Sequence, residues 1–174
     1  AFFLGEKSLA LESLDYALGI RNKSAELLSF FAILLLKDGQ IEKGFDATEK
    51  AIFMDKESGF AQSALGLYYQ KTGEPVRAEI SLKQALSGSL AYSLPYNLLI
   101  QIYREARKRG DALKVALHGI TVLNDVALYD EAVKLAFELK DYRLCARLGM
   151  QAAKLFPEDS SYAFIAARSY QELK

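Results

Sequence analysis

Tryptophan is absent from this 174-residue sequence, histidine and cysteine occur once each (His118 and Cys145), and proline occurs three times. Each scarcity excludes something. One cysteine cannot build an internal disulfide framework. A lone histidine with no H-E-x-x-H pattern and no cysteine at ligand spacing gives no metal-binding motif. There is no Pro/Ser/Gly-rich linker and no low-complexity stretch. Net charge is also missing: 22 basic side chains balance 22 acidic ones, so the chain as a whole exerts no pull on nucleic acid or anionic membrane. The most apolar run, Phe30 to Leu36, is far shorter than the roughly 20 residues a membrane span needs. The glycines Gly39 and Gly44 lack the following Lys-Ser/Thr and the preceding strand of a phosphate-binding loop. What remains is 51% apolar and 25% charged, the composition of an ordered chain able to bury a core.

That core is written periodically. The segment Leu65-Gly66-Leu67-Tyr68-Tyr69-Gln70-Lys71-Thr72-Gly73 is followed by Ala78, Leu82 and Ala85, a small-large-small spacing suited to a second helix. Sliding this frame by 34 residues puts Gly39 under Gly73 and Gly5 under Gly39. Repeat position 20 then holds Ala10, Gly44, Ala78, Ala112 and, with one residue missing from the third copy, Cys145; position 27 holds Ala17, Ala51, Ala85, Gly119 and Ala152. All are small, as close helix crossings require, and a thiol at such a position is a buried packing group rather than a nucleophile. Large residues at position 11 (Leu35, Tyr69, Tyr103 and Tyr170) supply the intervening knobs, with Ala136 as a departure.

Local signals divide the chain in the same way. Ser24, Ser58, Ser93 and Ser160 each precede an apolar-periodic run and are expected to be N-caps. Pro75 and Pro95 suit the first turns of helices, and Pro157 follows one. In the third copy Gly110-Asp111 reads as the inter-helix turn, three residues late, so a longer first helix or a local shift of frame is expected there.

The L-G-x-x-Y…G spacing and the register of small residues resemble the tetratricopeptide repeat family over nearly the whole chain. The resemblance implies an all-α fold, a right-handed α-α superhelix (a solenoid) of antiparallel helix pairs. It divides the chain into the end of a preceding repeat at 1–24, repeats at 25–58, 59–92, 93–125 and 126–159, and the first helix of a following repeat at 160–174. With Ala-Phe-Phe-Leu at its start and half-repeats at its ends, the chain is expected to be a fragment of a larger protein. The family's first-helix tryptophan is replaced by Leu28, Gln62, Tyr96, Tyr129 and Ala163.

In this family, positions 2, 5, 9 and 12 of each first helix face a concave groove. The resemblance therefore implies a mixed peptide groove from Ile33 and Leu36; Phe60, Ser63, Leu67 and Gln70; Leu94, Asn97, Gln101 and Arg104; and Asp130, Lys134 and Phe137, joined by Glu26, Ser29 and Ala127. Its apolar members would bury a partner's side chains, or else pack against neighbouring first helices, while Asn97 and Gln101 could bond a peptide backbone. The carboxylate clamp that some members use would need Lys, Asn and Arg where this chain has Ser29, Ile33, Ala64, Leu94 and Leu98, so it is not expected. The basic cluster Arg104, Arg107, Lys108, Arg109 and Lys114 lacks interleaved aromatics for base stacking and reads as a solvated helix end. The adjacent acids Asp130 and Glu131 point in different directions on a helix and form no facing catalytic pair. The expectation is a non-catalytic protein-interaction scaffold with no cofactor or metal, binding a protein or peptide rather than nucleic acid, without a membrane span. A homo-oligomer through exposed repeat ends is compatible with it. The alternative is a structural spacer or self-association module.

Overall fold

A computed structural model describes residues 24–87 and 92–173; Gly5, Ala10 and Ala17, with the expected end of a preceding repeat, lie outside the described residues. The chain forms two compact units, one ending at Leu90 and the other beginning at Ala91. The first contains α1 (Ala25–Lys37), α2 (Ile41–Met54), α3 (Gly59–Lys71) and α4 (Pro75–Leu86); the second contains α5 (Leu94–Glu105), α6 (Arg109–Leu123), α7 (Val126–Glu138), α8 (Tyr142–Leu155) and α9 (Ser161–Gln171). Among the described residues everything regular is helical, and the helices pack as consecutive antiparallel pairs.

In the first unit α1 packs on α2 and α3 on α4, and α3 also meets both helices of the preceding pair. In the second, α6, α7, α8 and α9 each pack on the helix before. The small residues lie where the helices cross. Ala51, Ala78, Ala85, Ala112, Cys145 and Ala152 are fully buried, and Gly44 and Gly119 are buried with them. A Cβ on Gly44 would come 2.6 Å from Leu36 Cγ, and one on Gly119 would come 2.8 Å from Leu128 Cδ1 and 3.0 Å from Tyr96 Cδ1. Close backbone approach is what these positions provide. At position 11, Leu35, Tyr103 and Ala136 are buried, Tyr69 is half-buried beneath Arg77, and Tyr170 is exposed.

The first helix of every described pair ends in the same way. Gln40, Glu74, Lys108 and Asp141 donate their backbone N–H to the carbonyls of Leu35, Tyr69, Tyr103 and Ala136, at 2.8–2.9 Å. The residue before each donor is left-handed: Gly39 (φ 87°), Gly73 (φ 78°), Arg107 (φ 58°) and Lys140 (φ 59°). This closing pattern satisfies carbonyls that the helix end leaves open. It also corrects the reading of the third copy. The turn lies at Arg107, in register with Gly39 and Gly73; α5 is not longer than its counterparts, and Gly110 is already in the first turn of α6. The missing residue is lost further on, in the connection from α6 to α7, where left-handed Asn124 (φ 44°) and Asp125 alone separate the helices.

Two of the four expected N-caps form. Ser24 Oγ accepts from Leu27 N at 3.1 Å and Ser58 Oγ from Ala61 N at 3.4 Å. Ser93 and Ser160 make no such bond, because both have helical backbone angles (ψ −19° and −12°) instead of the extended ones that turn a hydroxyl back onto the helix. Aspartates cap two helices of the second unit: Asp125 Oδ1 accepts from Ala127 N at 2.8 Å, and Asp141 Oδ1 from Leu144 N at 3.0 Å.

Candidate functional site

The expected groove residues divide by burial. In the first unit Ile33, Leu36, Ser63 and Leu67 are interior, and so is Ser29. Leu36 is turned toward Gly44 on the paired helix, and Ser63 Oγ donates to the Gly59 carbonyl at 2.7 Å. Interior side chains offer no surface to a ligand, so the apolar row read as groove lining is core here. Its hydrophobicity serves the interior of the unit. Phe60 and Gln70 stay half-buried, with the Phe60 ring 4.9 Å from that of Phe30. Leu94, at the start of α5, is interior as well.

In the second unit the expected residues converge. Asn97, Gln101 and Arg104 from α5, with Ala127, Asp130 and Lys134 from α7, line one open cleft of about 650 Å³, together with Ile100, Glu105 and Glu131. Both helices are first helices of their pairs. Asn97, Gln101 and Glu105 follow one another at four-residue steps and so share a face of α5. Ile100 is buried and forms part of the floor.

The cleft is polar and internally ordered. Arg104 bridges two carboxylates on α7, Glu131 Oε2 at 3.1 Å and Glu138 Oε1 at 2.7 Å, and Arg109 Nε donates to Glu138 Oε2 at 2.9 Å. The basic cluster of the sequence is thus partly neutralised within its own unit. Gln101 Nε2 donates to Glu105 Oε1 at 2.9 Å. Lys134 Nζ stands 4.0 Å from Glu131 Oε1. The Tyr162 hydroxyl reaches back from α9 and donates to Asp130 Oδ1 at 2.7 Å. Burial of the ring, and then the neighbouring Asp130 carboxylate, raise the Tyr162 pKa well above that of a free phenol. Phe137 lies just along α7, edge-on to Tyr142 at 5.6 Å and with the Arg168 guanidinium 5.2 Å from its ring centre.

Glu105, Glu131 and Tyr162 are not among the residues expected from the sequence. Extending the Asn97, Gln101 spacing by one more turn reaches Glu105. Tyr162 is invisible from spacing alone, since its contribution is a contact made 32 residues away in sequence. One more residue lies beyond the expected row, which ends at Phe137. Phe164, which is 68% exposed, holds on α9 the same position 5 that Asn97 and Asp130 hold on α5 and α7. Among the described residues no cluster of His, Cys, Asp and Glu could hold a metal, and no helix is long and apolar enough to cross a membrane. His118 stands beside Tyr96, ring centres 5.6 Å apart, and the Cys145 thiol is fully buried, 3.6 Å from the Val133 carbonyl.

Consecutive helix hairpins with small buried residues in register and a left-handed cap after the first helix of each described pair define a helical-repeat protein, and its fold is that of tetratricopeptide proteins. The chain superimposes on TTC0263, a thermophilic tetratricopeptide protein of Thermus thermophilus, with a TM-score of 0.70 at 16% identity, over 97% of this chain and 92% of that one. It resembles YrrB, a tetratricopeptide protein with an unusual peptide-binding site, with a TM-score of 0.65 at 15% identity, over 92% of this chain and 84% of that one. It also matches a chain of the Cut9–Hcn1 hetero-tetramer of APC/C, with a TM-score of 0.70 at 13% identity, over 95% of this chain but only 33% of the other. No family model and no curated protein sequence matches the chain.

Proposed function

We propose that this chain is a non-catalytic protein-interaction scaffold that holds an extended peptide or partner helix in the cleft between α5 and α7. The observation that carries this reading is the convergence of Asn97, Gln101, Arg104, Asp130 and Lys134 on one open cleft. An open row of amides and charges on rigid helices is suited to bonding a peptide backbone and is poorly suited to chemistry, which would need a nucleophile beside a base. The fold supports the reading by analogy, since YrrB is a tetratricopeptide protein with a peptide-binding site. The buried row in the first unit narrows the proposal to the second.

A random-peptide display selection on the immobilised chain, followed by anisotropy titration of the enriched peptides, tests it. Peptides selected by the wild type should lose about tenfold in affinity for the double variant Asn97→Ala/Gln101→Ala, which removes two partners of the peptide backbone. Enriched peptides that bind the variant unchanged would refute the cleft as the binding site. The second reading, a spacer or self-association module, is favoured by the outward apolar side chains Phe53, Val76 and Ile80, exposed by 93%, 71% and 62%. Under it the cleft variants would leave association untouched.

A further inference from the structure

The charges of the cleft are not equivalent. Arg104 and Arg109 are spent on Glu131 and Glu138, with Lys134 Nζ at the outer limit of an ion pair to Glu131, 4.0 Å away. Asp130 and Glu105 accept hydrogen bonds from neutral donors, the Tyr162 hydroxyl and the Gln101 amide, which fix the carboxylates without cancelling their charge. Lys134 is the remaining cation of the lining, and its side chain is 60% exposed. The cleft therefore presents two oriented, uncompensated carboxylates against one solvated ammonium. On α9, at the repeat position that Asn97 and Asp130 hold on α5 and α7, stands the exposed ring of Phe164. Two contacts make α9 the next column of the same face: Tyr162 to Asp130, and Arg168 over Phe137.

Resting on the peptide-cleft reading, we infer that this site selects a cationic extended peptide, with a lysine or arginine side chain on Asp130, in the field that Glu105 extends along the cleft, and a large apolar side chain on Phe164. The spacing follows from geometry. At about 10 Å, the spacing of packed helices, and about 3.3 Å of advance per residue of extended chain, the cation and the apolar anchor stand about three residues apart. Asn97 and Gln101 bond the backbone on the α5 side. A preorganised carboxylate loses no side-chain freedom on binding, which is what Tyr162 provides for Asp130.

The test uses the whole chain and three fluorescein-labelled peptides of about ten residues on an alanine-serine background: one with a lysine and a leucine three residues apart, one with glutamate for lysine, and one with serine for leucine. Anisotropy at low salt should rank the lysine-leucine peptide about tenfold tighter than either of the others. Asp130→Asn should remove the preference for lysine over glutamate, Glu105→Gln should weaken it about threefold, and Phe164→Ala should remove the preference for leucine over serine. Glu105 is exposed, so its variant keeps the test valid if Asp130→Asn perturbs the fold. If the glutamate peptide binds as tightly as the lysine one and still depends on Asn97 and Gln101, the charge selectivity is wrong while the cleft reading stands. If none of the three binds, both are wrong.

Discussion

Single residues show most directly what spacing can reveal. A position that must be small betrays itself by recurring, and each described member of the ten-residue register lies buried at a helix crossing. A position that is apolar betrays only that it is buried by something. Ile33, Leu36 and Leu67 carry the same sequence signal whether a ligand or the fold itself covers them, and in the folded chain they are already interior. Two glycines of the second unit separate crossing from mere helix membership. A Cβ on Gly149 would meet the Tyr162 carbonyl oxygen at 2.9 Å and Ala166 Cβ at 3.1 Å, whereas one on Gly110 would meet nothing within 4 Å. Alanine in a helix is favoured over glycine by about 1 kcal/mol, and overpacking against backbone costs about 1–3 kcal/mol. Urea denaturation should therefore show Gly110→Ala as neutral to about 1 kcal/mol stabilising, and Gly149→Ala as about 1 kcal/mol destabilising. Equal midpoints for the two variants would mean that α8 and α9 part without cost.

Among the elements, the cap after each first helix is legible only where it is made of glycine. Gly39 and Gly73 announce their turns, while Arg107 and Lys140 adopt the same left-handed geometry with no residue-type signal, and the nearby Gly110 draws the expected third turn to itself. Tertiary packing of the pairs holds the cap geometry in place even where its residue disfavours it, and that leaves strain to be relieved. A side chain at positive φ costs about 1 kcal/mol relative to glycine. Arg107 is exposed and the ion pairs of its corner are made by Arg104 and Arg109, so Arg107→Gly removes the strain without breaking the network. The expected gain is about 0.5–1 kcal/mol, with a similar gain for Lys140→Gly. Gly73→Ala should lose about 1 kcal/mol, although no atom lies near its missing Cβ. Thermal unfolding followed by circular dichroism distinguishes the three, and a Gly73→Ala protein as stable as the parent would show that the cap is not under conformational control.

For the whole molecule, net charge and composition are the features a sequence states outright, and both mislead about where pH acts. With 22 charges of each sign the chain looks electrostatically indifferent. The groups with displaced titrations include tyrosines of the second unit: burial raises the pKa of Tyr92, Tyr96 and Tyr129, and burial together with Asp130 raises that of Tyr162. The direction of the effect follows from proton counting. Above pH 10, the ordinary phenol value, these side chains ionise in the unfolded chain while the folded unit retains their protons. The native state then binds more protons than the unfolded one, so the stabilisation present below pH 10 is lost as pH rises toward the folded-state values. Each such tyrosine contributes a slope of at most about 1.4 kcal/mol per pH unit. Chemical denaturation at about pH 8, 9, 10 and 11 should thus show a plateau followed by a fall. Tyrosinate absorbance in the native protein should lag behind that of the denatured chain. Tyr162→Phe lowers stability at about pH 8 through the lost bond to Asp130 and makes the decline above about pH 10 shallower, because one phenol no longer titrates between the two states. A decline equally steep in Tyr162→Phe would mean that the hydroxyl titrates alike in the folded and the unfolded chain, against the raised pKa that burial and Asp130 give it.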